Sequence, residues 1–183
     1  MRNSAQTYKT FVLLEERAAS LYLDLAVRFL DNTDLSWFWV EMSIEEKRHV
    51  GLLQFCLREQ IATRTPPDQH IVRRLRSLFR ILEKRAAAPH LTVDDAFLIA
   101  ADLEGSEINP AYANLISPIS GPWYIMREKI ETSVPGHMDG LIQGARRFGV
   151  SLSTMARLVD IAGGTRIKRA KLVNNGKLKV RAR

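Results

Sequence analysis

Glutamate and histidine recur along this 183-residue chain at the spacing of helical core positions. Phe11, Glu15, Ala18, Tyr22, Leu25 and Phe29 follow one another in steps of 4-3-4-3-4, which sets Glu15 and Tyr22 on an apolar helical stripe. Trp39, Met42, Glu46, His49, Leu53 and Cys56 step by 3-4-3-4-3, so Glu46 and His49 share a second core stripe. Carboxylate and imidazole groups are costly to bury unpaired, and a divalent metal ion is one partner that removes the cost. A lone Glu-x-x-His on a helix is more often a surface i,i+3 pair. Its place on an apolar stripe is what points to metal.

Register adds to this. In an antiparallel helical hairpin, residues equidistant from the turn lie at one height. Glu15 and Glu46 are centred on position 30.5, and Glu15 and His49 on 32, both inside the turn at 31–34. The second half of the chain repeats the plan: Glu104 and His137 are 33 residues apart, against 34 for Glu15 and His49, and their centre of 120.5 falls in the loop 117–122. Tyr112 follows Glu104 by eight residues, as Tyr22 follows Glu15 by seven. Two halves with one ligand plan predict a pseudo-twofold site for a pair of metal ions.

The elements that must position these groups are helices. Apolar periodicity predicts helices over about 4–30 and 35–61, separated by Asp31-Asn32-Thr33-Asp34, whose short polar side chains suit a turn and an N-cap. Pro66-Pro67 ends the second. A basic amphipathic helix over 68–87 carries Ile71, Leu75, Leu78, Phe79 and Leu82 on one side, and reads most simply as a solvated helix lying across the others. Thr92 caps a long helix over 93–116, and a further helix over 123–148 closes at Gly149. Pro110 and Pro135 should kink or split these two. Ser151 caps a short helix that stops at Gly163-Gly164, and Asn175-Gly176 between alternating residues signals a β-hairpin. The expected fold is all-α: an antiparallel four-helix bundle over 1–150 with an extra helix in its crossover. A basic extension over 151–183 follows, made of a short helix and a β-hairpin tail.

Glu15…Tyr22, Glu41 with Glu46-Lys47-Arg48-His49, Glu104-Gly105-Ser106-Glu107…Tyr112 and His137 resemble the ferritin-like domain of the rubrerythrins, over about residues 8–148. The resemblance implies Glu15, Glu46, His49, Glu104, Glu107 and His137 as ligands of two iron ions, with manganese, a mixed pair or a single metal as alternatives. It implies Tyr22 and Tyr112 as hydrogen-bond donors that orient the carboxylates. Val134 stands where the family carries Glu three residues before His137, and Glu131 lies about 120° round a straight helix from His137. A site lacking that ligand holds its second metal weakly or fills the gap with water. The implied activity is that of a di-iron oxidoreductase using oxygen or peroxide, or of an iron-handling protein, acting as a homodimer. With Cys56 the single cysteine there is no rubredoxin-like centre, so the electron donor is a separate protein.

Composition bounds the alternatives. An apolar share of 46% and a charged share of 26% suit a globular domain. The N-terminus lacks the apolar stretch of a signal peptide and no run is long enough to span a bilayer, so the expectation is a cytoplasmic protein without membrane contact. The net charge of +7 belongs to the tail: residues 166–183 hold eight Lys or Arg and no acid, which leaves 19 basic against 20 acidic residues elsewhere. The competing reading is a non-catalytic bundle with an incomplete metal site, whose basic tail contacts nucleic acid or an acidic partner. Without an aromatic residue in 166–183, nucleic-acid contact there is limited to phosphates and is the less favoured option.

Overall fold

Asn32 decides where the first two helices part. Its side chain accepts a hydrogen bond from the Leu35 amide at 3.1 Å, capping the second helix, while its own amide bonds back to the Phe29 carbonyl at 2.9 Å. The computed structural model describes residues 2–59, 69–106, 108, 111, 112, 115 and 137–163. Among them are six helices and no strand: α1 (Arg2–Arg28), α2 (Thr33–Arg58), α3 (Gln69–Ala86), α4 (Val93–Glu104), α5 (137–147) and α6 (152–163). The chain is all-α over this range. The β-hairpin signal at 175–176, the loop 117–122, Glu107, Glu131, Val134 and Pro135 lie outside the described residues.

Each helix end has a local cause. α4 begins with a capping box, in which Thr92 Oγ1 accepts from the Asp95 amide at 3.1 Å and Asp95 accepts from the Thr92 amide at 3.1 Å. The helix expected over 93–116 is interrupted. α4 stops at Glu104, with the amides of Gly105 and Ser106 bonding back to Ala101 and Leu103. Residues 108, 111, 112 and 115 are helical again, opened by Ser106 Oγ accepting from the Ile108 amide at 3.2 Å. Pro110, the residue expected to kink or split this helix, lies outside the described residues. α5 ends where Gly149 takes a positive φ of 68° and Val150 bonds back to the Ala145 carbonyl at 3.1 Å, a Schellman closure.

Packing follows the stripes. α1 lies against α2, and α3 touches both α1 and α4. Phe11, Ala18, Tyr22 and Leu25 of α1 and Trp39, Leu53 and Cys56 of α2 are fully buried, joined by Phe79 of α3 and Phe97 of α4. Full burial of a Phe or Leu side chain contributes about 1.5–3 kcal/mol each. Near the α1–α2 turn Phe38 meets Trp39 edge-on at 4.8 Å, Phe97 at 5.5 Å and Phe148 at 5.7 Å, which ties α2, α4 and the end of α5 together. Arg17 holds Glu83 through two bonds of 2.9 and 2.8 Å and lies over the Phe79 ring, fastening α3 to α1. α6 is docked by Asp94, which accepts from the Ser151 amide and from the Ser151 and Thr154 hydroxyls. No described helix is long and apolar enough to cross a membrane.

Candidate metal centre

Five buried ionisable side chains meet inside the helices. Glu15 comes from α1, Glu46 and His49 from adjacent turns of α2, Glu104 from the last residue of α4, and His137 from the first described turn of α5. All five are at most 4% exposed, which for Glu is exceptional without a partner. The stripe positions explain the direction of Glu46 and His49: one helical face carries Trp39, Met42, Glu46, His49 and Leu53 inward together.

Acids and imidazoles alternate through the site. His49 Nδ1 lies 3.5 Å from Glu15 Oε2 and 3.3 Å from Glu46 Oε2. His137 Nδ1 lies 3.2 Å from Glu46 Oε1 and 3.6 Å from Glu104 Oε2, approaches without the alignment of a hydrogen bond. Glu46 thus stands between two histidines, one carboxylate oxygen toward each. The imidazole rings are stacked, 5.0 Å apart and 16° from parallel. Beyond Glu104, Tyr22 donates its hydroxyl proton to Oε1 at 2.7 Å.

The electrostatics follow from burial and these neighbours. Burial pushes the Glu15 carboxyl up to about 8, against the pull of His49 and with the Glu46 charge adding to the rise. Burial acts the same way on Glu46, but His137 and His49 beside it more than offset that and hold it well below the ordinary carboxylate range. Burial alone would lower the two imidazoles. The carboxylates of Glu15 and Glu46 instead carry His49 up to about 9, and those of Glu104 and Glu46 carry His137 up to about 11. Burial raises the Tyr22 and Tyr112 phenols, so both keep their protons.

The donor set fits a metal ion better than it fits itself. Nε2 of His49, Nε2 of His137 and Nδ1 of His137 are buried with no hydrogen-bond partner among the described residues. Such orphaned nitrogens are rare in folded proteins and call for an explanation. Donor atoms of Glu46, His49 and His137 all lie within 4.8 Å of one another, and this buried group could hold an ion. Two imidazoles and a carboxylate form a donor set used by non-haem iron, and further carboxylates are the mark of di-metal sites inside helix bundles.

Of the residues singled out from sequence, Glu15, Glu46, His49, Glu104, His137 and Tyr22 are brought together; Glu107 lies outside the described residues. Tyr112 differs from expectation. Its hydroxyl makes no hydrogen bond among the described residues, and its ring lies 4.5 Å from that of His49. A residue that ligand spacing did not single out is Trp39, whose indole lies parallel to Tyr22 at 6.0 Å with its buried N–H unpartnered among the described residues. Its signal in the sequence was a core stripe position one helical repeat before Glu46. No family model matches the chain, and comparisons with curated proteins and with solved structures find no match either.

Proposed function

We propose that this chain is a rubrerythrin-like, non-haem di-iron oxidoreductase. Its fold on this reading is a ferritin-like antiparallel four-helix bundle, made of α1, α2, the helical run begun by α4, and the helix ending in α5. One observation carries the reading: five buried Glu and His side chains from four separate helices converge while the outer nitrogens of both histidines have no partner among the described residues. Neither a lone ion pair nor a satisfied core histidine produces that pattern.

The residues divide the work. Glu46, with one oxygen toward each histidine, is placed to serve both halves of the site. Glu15 and Glu104 are the outer carboxylates, one beside each imidazole. Tyr22 keeps its proton and fixes Glu104 by donating to Oε1, which leaves Oε2 toward His137. Tyr22 and Trp39, fully buried, exclude water on that side. Bound iron would supply redox chemistry with oxygen or peroxide at its open coordination positions. A homodimer belongs to the same reading. So does a separate protein as electron donor.

The test is metal content. Protein purified without chelator should hold about two iron or manganese ions per chain, the stoichiometry of carboxylate-bridged bundle sites. The Glu46→Ala/His49→Ala variant should hold none while keeping its helical circular dichroism, because removing both members of a buried polar pair is milder than removing one. A metal-free wild type, reconstituted or native, would sink the reading.

A further inference from the structure

The outward face of α3 is a ridge of cations. Arg73, Arg76, Arg80 and Lys84 are all exposed and follow one another in steps of 3, 4 and 4, so they line one side of the helix over about 16 Å. None is paired with an acid among the described residues: Arg73 rests on the His70 ring nitrogens and Arg80 on the Ser77 hydroxyl. Of the other cations nearby, Arg17 is held by Glu83 and Arg85 by Asp102. Beside the ridge runs an open groove of about 630 Å³, lined by Leu13, Leu14, Glu16 and Arg17 of α1 and by Arg76 and Arg80 of α3, with Leu13 57% exposed.

We infer that this ridge and groove dock an acidic redox protein. Free cations around a small apolar floor are the anatomy of a weak, charge-steered encounter, in which the rim sets the association rate and the contact stays small. Nucleic acid is the poorer fit, since the one aromatic residue of α3, Phe79, is buried and offers no stacking surface. The location suits electron delivery. Leu14 and Glu16 line the groove and flank Glu15 in sequence, so a docked partner sits behind the turn that presents the Glu15 carboxylate, roughly one helix diameter of 10–12 Å away. With iron bound there, an encounter would pass one electron, the donor oxidised by one and the iron reduced by one, with no bond formed or broken. What the partner delivers rests on the di-iron reading above; where it docks does not.

The experiment is a binding titration on the full chain, independent of metal. Fluorescently labelled flavodoxin, an acidic one-electron carrier, is titrated with wild type and with Arg73→Glu/Arg76→Glu/Arg80→Glu, circular dichroism confirming that the variant folds. Wild type should bind at low salt and weaken steeply as salt rises. The charge-reversed variant should lose about tenfold or more in affinity, and the corresponding Arg→Gln variant an intermediate amount. Basic cytochrome c should not bind at these arginines. The inference is overturned if flavodoxin fails to bind wild type, if the reversed variant binds it unchanged, or if a single-stranded oligonucleotide binds more tightly through the same three arginines. Failure of the di-iron reading would instead appear in the metal count, with flavodoxin binding left intact.

Discussion

Tyr22 and Glu104, 82 residues apart in the chain, are joined inside the protein by a 2.7 Å hydrogen bond from the phenol to Oε1. The bond links the C-terminal third of α1 to the last residue of α4, just where that helix is interrupted. The phenol thereby fixes the angle at which Glu104 presents Oε1. Tyr22→Phe should therefore leave the fold in place at a cost of about 1–3 kcal/mol, for an acceptor left without its donor in the core. It should also weaken metal binding by about 10–100-fold, the usual effect of removing a group that orients a ligand. Metal titration and thermal melts of the two proteins side by side check both halves. Unchanged affinity would remove Tyr22 from the site.

Metal uptake should expel protons. An ion takes its imidazoles neutral and its carboxylates ionised, whereas neighbouring carboxylates hold His49 up to about 9 and His137 up to about 11, and burial holds Glu15 up to about 8. The sign is fixed by these directions: near neutral pH the imidazoles carry protons that the ion must displace, so apparent affinity rises with pH. Calorimetry of metal binding in buffers of different ionisation enthalpy should register the release. An affinity flat between pH 6 and 9 would contradict this.

The sequence made some of this legible and hid the rest for physical reasons. The two heptad-like stripes placed Glu15, Glu46 and His49 inward, and counting from the turn put Glu15 level with His49, which the 3.5 Å approach reproduces. Tyr112 does not repeat Tyr22 among the described residues, where its hydroxyl makes no hydrogen bond. Seven residues return a helix to within about 20° of the same face, but eight overshoot by about 80°, and here the helix is also interrupted at Gly105-Ser106. Asp94 stands in the first turn of α4, where an acid has an ordinary local role. Its hydrogen bonds run to Ser151 and Thr154, about sixty residues on, a tertiary contact that no local pattern encodes.

That contact carries a pH dependence of its own. The hydroxyls of Ser151 and then Thr154, with the Ser151 amide, hold the Asp94 carboxyl below its ordinary value of 3.8. The folded protein therefore takes up this proton less readily than the unfolded chain. Docking of α6 contributes in full above pH 3.8 and fades as pH falls through the lowered folded value. Asp94→Asn should flatten this part of the acid limb of the stability curve. Ser151→Ala, which removes the α6 cap as well, should cost about 1 kcal/mol at neutral pH. Denaturant unfolding of both variants between pH 3 and 7 separates the two effects.

Gly144 offers the sharpest test of packing. A Cβ built there would lie 2.6 Å from both Cε2 and Cζ of Phe38, so α5 can approach α2 this closely only without a side chain at 144. Phe38 has little freedom to yield, since Trp39, Phe97 and Phe148 surround its ring at 4.8, 5.5 and 5.7 Å. Gly144→Ala should destabilise by about 1–3 kcal/mol through overpacking, despite the better helix propensity of alanine. Phe38→Leu alone should also destabilise, by shrinking a side chain in that cluster. Combined, the two should cost less than the sum of the single changes, because the smaller side chain opens the space that the new methyl needs. Additive costs in denaturant melts would mean that Phe38 is not what confines position 144.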